Sequence, residues 1–177
     1  MRIVGGSLKG RVLLDFSKIG VRPTSDMARE SLFNILQNRI YGASFLDLFS
    51  GTGAVGIEAY SRGAKTVVLN DIGRESVKLI ERNLQKLGIS SAVTLRSMDA
   101  LTFIDVCNDK FDVIFIDPPY DSGLEESLLE RVDKILNDDG VVIYETEKPI
   151  EKSFGAFEIK DRRRYGRAHL TFFVKGE

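Results

Sequence analysis

The sequence predicts an α/β domain built on a mostly parallel sheet, and three observations carry that expectation. Short apolar runs rich in Val, Ile and Phe alternate with longer stretches of helical periodicity, the pattern of parallel strands covered by helices. Two of those runs end in unusual loops, one rich in glycine and one reading Asp-Pro-Pro-Tyr. After the fifth run the rhythm changes to two strands joined by a basic turn, which makes an antiparallel hairpin at the sheet edge.

Residues 1–23 carry Gly5, Gly6, Gly10 and Gly20 among short apolar pieces and read as a small irregular or hairpin arm. Thr24 or Ser25 then caps a helix reaching about Asn38, with Met27, Ala28, Leu32, Ile35 and Leu36 on its inner face. Five strands follow at 45–49, 66–69, 93–96, 112–116 and 141–144. Between them lie helices at 54–62, 74–87, 100–106 and 124–136. In the second of these, Val77, Ile80, Leu84 and Leu87 recur three and four apart, and Gly88 stops the helix. The hairpin takes 154–159 and 169–174, with the turn at 162–167. With 177 residues the chain holds one domain, 24–177, preceded by the arm 1–23.

No run approaches the roughly 18 apolar residues that a membrane span needs. The first residues lack the apolar core of a secretory signal, and the single cysteine, Cys107, cannot form an internal disulfide, so cytoplasmic residence is the expectation. A net charge of -1 hides an asymmetry: residues 1–25 and 160–177 each sum to +4, leaving the middle at -9. Basic ends on an acidic body orient a protein on a polyanion if they meet in space.

The glycine loop is Phe45-Leu46-Asp47-Leu48-Phe49-Ser50-Gly51-Thr52-Gly53-Ala54-Val55-Gly56, a strand running through a turn into a helix. Such glycines let a ligand approach the backbone, and Asp71, 20 residues after Gly51, stands where a carboxylate can accept from ribose hydroxyls. The cofactor therefore contains a nucleoside. Asp47 narrows it, because a carboxylate ahead of the turn opposes a pyrophosphate but suits the ammonium group of a methionine moiety. S-adenosyl-L-methionine fits better than a dinucleotide, for which the chain also lacks a substrate domain. Asp99, in Ser97-Met98-Asp99-Ala100, is placed either to accept from an adenine amino group or to cap the next helix. Ile72 and Ala100 are placed to pack on the adenine faces.

The second loop is Asp117-Pro118-Pro119-Tyr120, directly after the fourth strand. Ligands of open α/β sheets bind at the carboxyl ends of strands where the order reverses, and the first and fourth strands flank such a point. Two prolines remove two N–H donors, leaving a rim of acceptors beside a tyrosine ring. That environment suits an exocyclic amine of a base: Asp117 and the Pro118 carbonyl accept its hydrogens, and Tyr120 stacks on the ring. Attack on a methyl carbon makes the nitrogen acidic, so even a carboxylate with a pKa near 4 can take the proton.

Asp117-Pro118-Pro119-Tyr120 together with Phe49-Ser50-Gly51-Thr52-Gly53 resembles the class I S-adenosylmethionine methyltransferases that modify base amines. Met1-Arg2-Ile3-Val4-Gly5-Gly6, Gly10-Arg11, Arg22-Pro23-Thr24, Arg29-Glu30-Ser31-Leu32-Phe33 and the late Tyr165-Gly166 resemble, more narrowly, the bacterial 16S ribosomal RNA guanine-N2 methyltransferases of the RsmD family. The resemblance implies a Rossmann-like, seven-stranded class I fold with a small N-terminal appendage, and methyl transfer to N2 of one guanine of 16S ribosomal RNA. It implies a substrate within a small-subunit assembly particle, a monomeric enzyme, and cofactor binding by the glycine loop, Thr24, Asp71 and the 98–100 turn. Arg2, Lys9, Arg11, Arg22, Arg29, Arg162, Arg163, Arg164 and Arg167 are the candidate phosphate contacts. The chain departs from the family pattern at Gly73, where many relatives carry a second acid, and at Arg167-Ala168-His169.

Three other readings share parts of this pattern: an adenine-N6 or cytosine-N4 nucleic-acid methyltransferase, a nicotinamide oxidoreductase, and a non-catalytic RNA-binding module. His169, the only histidine, lies on an expected strand, and Cys107 reads as a packed thiol. Neither points to a metal or a covalent nucleophile.

Overall fold

The computed structural model describes residues 1–16, 26–119 and 122–176. Its strands are β1 (Ser44–Asp47), β2 (Thr66–Asn70), β3 (Thr94–Arg96), β4 (Phe111–Ile116), β5 (Leu136–Thr146), β6 (Phe157–Tyr165) and β7 (Ala168–Lys175). They form one sheet in the order β3-β2-β1-β4-β5-β7-β6. The first five are mutually parallel, and β7 enters antiparallel between β5 and β6. The helices are α1 (Asp26–Ile35), α2 (Gln37–Ile40), α3 (Ala54–Ser61), α4 (Arg74–Leu87), α5 (Ala100–Val106) and α6 (Glu125–Val132). None of these is long and apolar enough to cross a membrane.

Both faces of the central strands are buried, as in any parallel sheet with helices on each side. Along β4, Val113 and Phe115 join one core with Phe33, Phe45, Ile80 and Phe172, while Ile114 and Ile116 join the other with Leu46, Ile104, Leu128 and Tyr144. The order reverses at β1 and β4, which lie side by side, with the Leu48 N–H extending their ladder to the Phe115 carbonyl at 3.0 Å.

Three expectations are corrected here. The helix expected to reach Asn38 is two short helices, and its inner face is turned by about one residue. Met27 is 64% and Ile35 38% exposed, whereas Arg29 and Phe33 are fully buried beside Ala28, Leu32 and Leu36. Thr24 and Ser25, the expected caps, lie outside the described residues. The last parallel strand begins at Leu136, not Val141, because Asn137, Asp138, Asp139 and Gly140 form an irregularity inside it: Phe111 pairs with Leu136 and Val113 with Val141. The basic turn shrinks to Gly166 and Arg167, with Tyr165 opposite Ala168 and Gly166 at φ +61°, so Arg162, Arg163 and Arg164 belong to β6.

Residues 1–16 fold back on themselves through the Arg2–Val12 bridge and dock on the body. Ile3 and Leu13 are buried in the first core. The Val4 and Gly5 N–H groups donate to Glu58 Oε2 and Oε1 at 2.9 and 2.7 Å, and the Ser7 N–H donates to the Ser61 carbonyl at 2.7 Å. Gly6, at φ +76°, lies so close to α3 that a Cβ there would sit 1.8 Å from the Ser61 carbonyl oxygen.

Candidate active site

The glycine turn is built by hydrogen bonds from its own short side chains. Ser50 Oγ donates to the Asp47 carbonyl at 2.8 Å and accepts from the Asn70 N–H at 3.1 Å, while the Ser50 N–H donates to the Asn70 carbonyl at 2.9 Å. The ends of β1 and β2 are thereby fastened together. Gly51 and Gly53 adopt φ +54° and +81°, conformations that favour glycine. A Cβ at Gly56 would lie 2.0 Å from Leu69 Cδ2, so this glycine lets α3 sit close to the sheet.

Asp47, Asp71 and Asn70 shape the turn electrostatically. Asp47 is 1% exposed; its Oδ2 accepts the Gly56 N–H at 3.0 Å, and its Oδ1 has no hydrogen-bond partner. Burial, together with the nearby Asp71 charge, pushes the Asp47 carboxyl up to about 7 despite the Gly56 bond. Asp71 Oδ2 accepts the Gly51 N–H at 2.8 Å and Oδ1 the Gly73 N–H at 2.7 Å. Asn70, not singled out by the sequence, donates through Nδ2 to the Leu48 carbonyl at 3.2 Å and the Met98 carbonyl at 3.0 Å. It draws the 98–100 turn beside the glycine turn. Its buried Oδ1 has no partner.

Asp99 caps α5, accepting the Thr102 N–H through Oδ1 at 3.0 Å, which settles its structural role. Of the two apolar residues expected against an adenine, Ile72 is 68% exposed, but Ala100 is buried in the second core, so only Ile72 presents an open face. Thr52 is buried, and its carbonyl accepts from Asn83 Nδ2 at 3.1 Å. Asn83 also pairs with the Leu14 backbone in both directions, at 2.8 and 3.1 Å. The N-terminal residues are thus tied to the glycine turn through one amide that α4's periodicity concealed.

Asp117, Pro118 and Pro119 follow β4 directly, so the second loop leaves the sheet next to the first. Asp117 is half-buried, and its carboxyl is held well above the usual carboxylate range by burial, then by Glu145, then by Asp47. A carboxyl raised in this way is a stronger base than the ordinary carboxylate that the proton transfer already allows. Tyr120 lies outside the described residues, as do Thr24 and Arg22. Pro118 and Pro119 line a cleft of about 630 Å³ together with Glu125, Glu145, Thr146 and Phe154. Glu145 is 7% exposed, and the Tyr144 hydroxyl before it is buried without a hydrogen-bond partner. Neither was legible as a site residue, because both sit in a strand that reads as core.

The basic candidates separate into two groups. Arg2, Lys9 and Arg11 are exposed on the N-terminal arm. Arg29 is not a phosphate contact: it is fully buried, donates to the Arg2 carbonyl, and pairs with Asp26 at 2.9 Å and with Glu58 at 3.4 Å. On β6, Arg162 donates to the Ile150 and Glu151 carbonyls at 2.9 and 3.1 Å, Arg163 pairs with Asp161 at 2.9 Å, and Arg164 donates to the Gly166 carbonyl. All three line a shallow depression with Pro149 and His169; Pro149 also borders the larger cleft. Arg167 is exposed at the hairpin tip.

This geometry can be set beside that of known proteins. The family model described as conserved hypothetical protein 95 matches residues 1–174. The chain belongs to that family. It is 37% identical over 140 residues to ribosomal RNA small subunit methyltransferase D of Escherichia coli K12, covering 79% of this chain and 68% of the relative. It is 34% identical over 153 residues to the protein of the same name from Haemophilus influenzae, covering 84% and 79%. A solved structure of a hypothetical protein from Thermus thermophilus superposes with a TM-score of 0.85 at 28% identity, covering 99% of each chain. The family's fold is the class I methyltransferase fold, as the two loops imply.

Proposed function

We propose that this protein transfers a methyl group from S-adenosyl-L-methionine to the exocyclic N2 of one guanine in 16S ribosomal RNA. That it is a methyltransferase of ribosomal RNA follows from the relatives; the base and atom are the finer reading. The observation that carries it is the adjacency of the glycine turn and the Asp117-Pro118-Pro119 loop at the ends of neighbouring strands.

The residues fit the donor. The Asp47 Oδ1 is a buried acceptor lacking a hydrogen, suited to an ammonium group, and Asp71 retains lone pairs for ribose hydroxyls after serving Gly51 and Gly73. When bound, S-adenosyl-L-methionine supplies an electrophilic methyl carbon. Asp117 and the Pro118 carbonyl accept the hydrogens of the base amine, orient its lone pair toward that carbon, and hold it there; positioning of this kind provides much of the rate. Asp117 then takes the proton the methylated nitrogen gives up, a task helped by its raised basicity. A base stacked in a helix cannot reach the cleft, so the target is an unpaired or extruded nucleotide.

The test is to digest ribosomal RNA from a strain lacking the protein and from its complemented partner, and to identify by mass spectrometry the nucleoside that returns. N2-methylguanosine is expected; return of N6-methyladenosine or N4-methylcytidine would replace the reading.

A further inference from the structure

A second carboxylate stands beside the one that receives the amine. β4 and β5 run parallel with Ile116 opposite Tyr144, so Asp117, the first residue past β4, lies beside Glu145, which is still within β5, at the carboxyl end of the sheet. The alternation of faces puts them on one side of the sheet. Val113 and Phe115 precede Asp117 on the face of the first core, and Val141 and Ile143 precede Glu145 on the same face. Glu145 lines the cleft with Pro118 and Pro119 and is 7% exposed. After burial, its charge is the next influence that raises the Asp117 carboxyl, ahead of Asp47. A carboxylate offers about four lone-pair sites, so Glu145 can serve a partner within the protein and still accept from a base entering the cleft it borders.

The chemistry of the base edges gives this placement a meaning. In guanine the target amine at N2 is followed along the edge by N1–H, a second donor, whereas in adenine and cytosine the ring nitrogen next to the amine on that edge is an acceptor. An acceptor set beside the amine-binding acceptor therefore matches guanine and opposes the other two lone pair to lone pair. We propose that Glu145 reads the target base by accepting the guanine N1–H while Asp117 and the Pro118 carbonyl hold the N2 amine. This inference rests on the guanine-N2 reading above and names the residue that makes the choice.

The experiment uses the full chain and ribosomal RNA bearing either guanine or 2-aminopurine at the methylated position, both as free RNA and in reconstituted small-subunit particles. 2-Aminopurine keeps the amine but presents a lone pair at N1. The wild-type protein is expected to favour guanine in kcat/KM by about 100-fold or more. Glu145→Gln, whose amide both accepts and donates, is expected to reduce that preference at least about tenfold, with cofactor affinity unchanged. Wild-type protein that methylates both RNAs equally overturns the inference, and that measurement needs no variant. So does a Glu145→Gln protein that loses activity on both in the same proportion, since a structural role alone would do that. If the wild type leaves guanine-bearing RNA unmethylated in both forms, the guanine-N2 reading itself has failed.

Discussion

Asp47 and Asp117 are carboxyls whose ionisation the fold resists, and each has a different consequence. Asp47 sits inside the core edge with its carboxyl near 7, against 3.8 for an unburied aspartate. Because the folded value is raised, the cost of the buried charge is absent below pH 4, grows as pH rises, and is complete above about 7, where it is on the order of 4 kcal/mol. Asp47→Asn keeps the acceptor for Gly56 and removes that cost. In cofactor-free protein it should raise the melting temperature by roughly 10 °C at pH 8 and leave it unchanged at pH 4, as calorimetry would show. A cationic ligand favours the ionised form, so S-adenosyl-L-methionine should bind the wild type more tightly from pH 6 to 8 and release a proton. Titration calorimetry in two buffers of different ionisation heat measures that proton, and Asp47→Asn should abolish it. Asp117→Ala should lower kcat about 10²- to 10⁴-fold with cofactor affinity within twofold of the wild type. The wild-type pH–rate profile should rise on a limb well above pH 4, since only the ionised carboxylate takes the proton; rates flat from pH 5 to 9 would remove Asp117 from the proton transfer.

At the scale of elements, the N-terminal residues and α3 depend on a few close contacts. Gly6→Ala places a methyl group against the Ser61 carbonyl at a positive φ, where neither backbone yields easily. It should destabilise the protein by about 1–3 kcal/mol or more and, through Leu14, Asn83 and Thr52, weaken cofactor binding; denaturant melts and a binding isotherm test both. The elements were legible in proportion to how local their signals are. α4 and α5 begin and end where periodicity, Gly88 and the Asp99 cap place them, because those signals lie within a few residues. α1 was turned by one residue because Arg29 occupies a buried position that no periodicity assigns to a charge; besides Asp26 in the same helix, its acceptors are Glu58 and the Arg2 carbonyl, both outside the helix. The glycine and Asp-Pro-Pro loops were readable as motifs, whereas Asn70, Asn83 and Glu145 carry no motif. Their significance arises only when separate segments meet.

For the whole molecule, the N-terminal arm docks on α3 and α4 while the C-terminal arginines lie on β6, the outermost strand on the far side of the sheet. The charge asymmetry is therefore spread over two regions, and the β6 region adjoins the cleft through Pro149. Reversing the charges of Arg162, Arg163 and Arg164 together should weaken RNA binding and lower the slope of log affinity against log salt by about 2 to 3, close to one unit for each phosphate no longer neutralised. Binding that keeps its slope across a salt series would assign recognition to the arm.

The outermost position of β6 has an effect unrelated to RNA. Among the described residues no strand adjoins its outer side, although the Phe157 N–H donates to the Phe154 carbonyl and the Arg162 N–H to Asp161 Oδ1; such a margin is the kind of template on which further chains polymerise. Lys160, Arg162, Arg163 and Arg164 outnumber Glu158 and Asp161 along it, and such an excess of positive charge on an edge strand opposes pairing with a second copy. The opposite margin, β3, is only three residues long and offers little to add to. The two borders thus carry two of the devices by which sheets discourage edge-to-edge pairing, charge on one and brevity on the other.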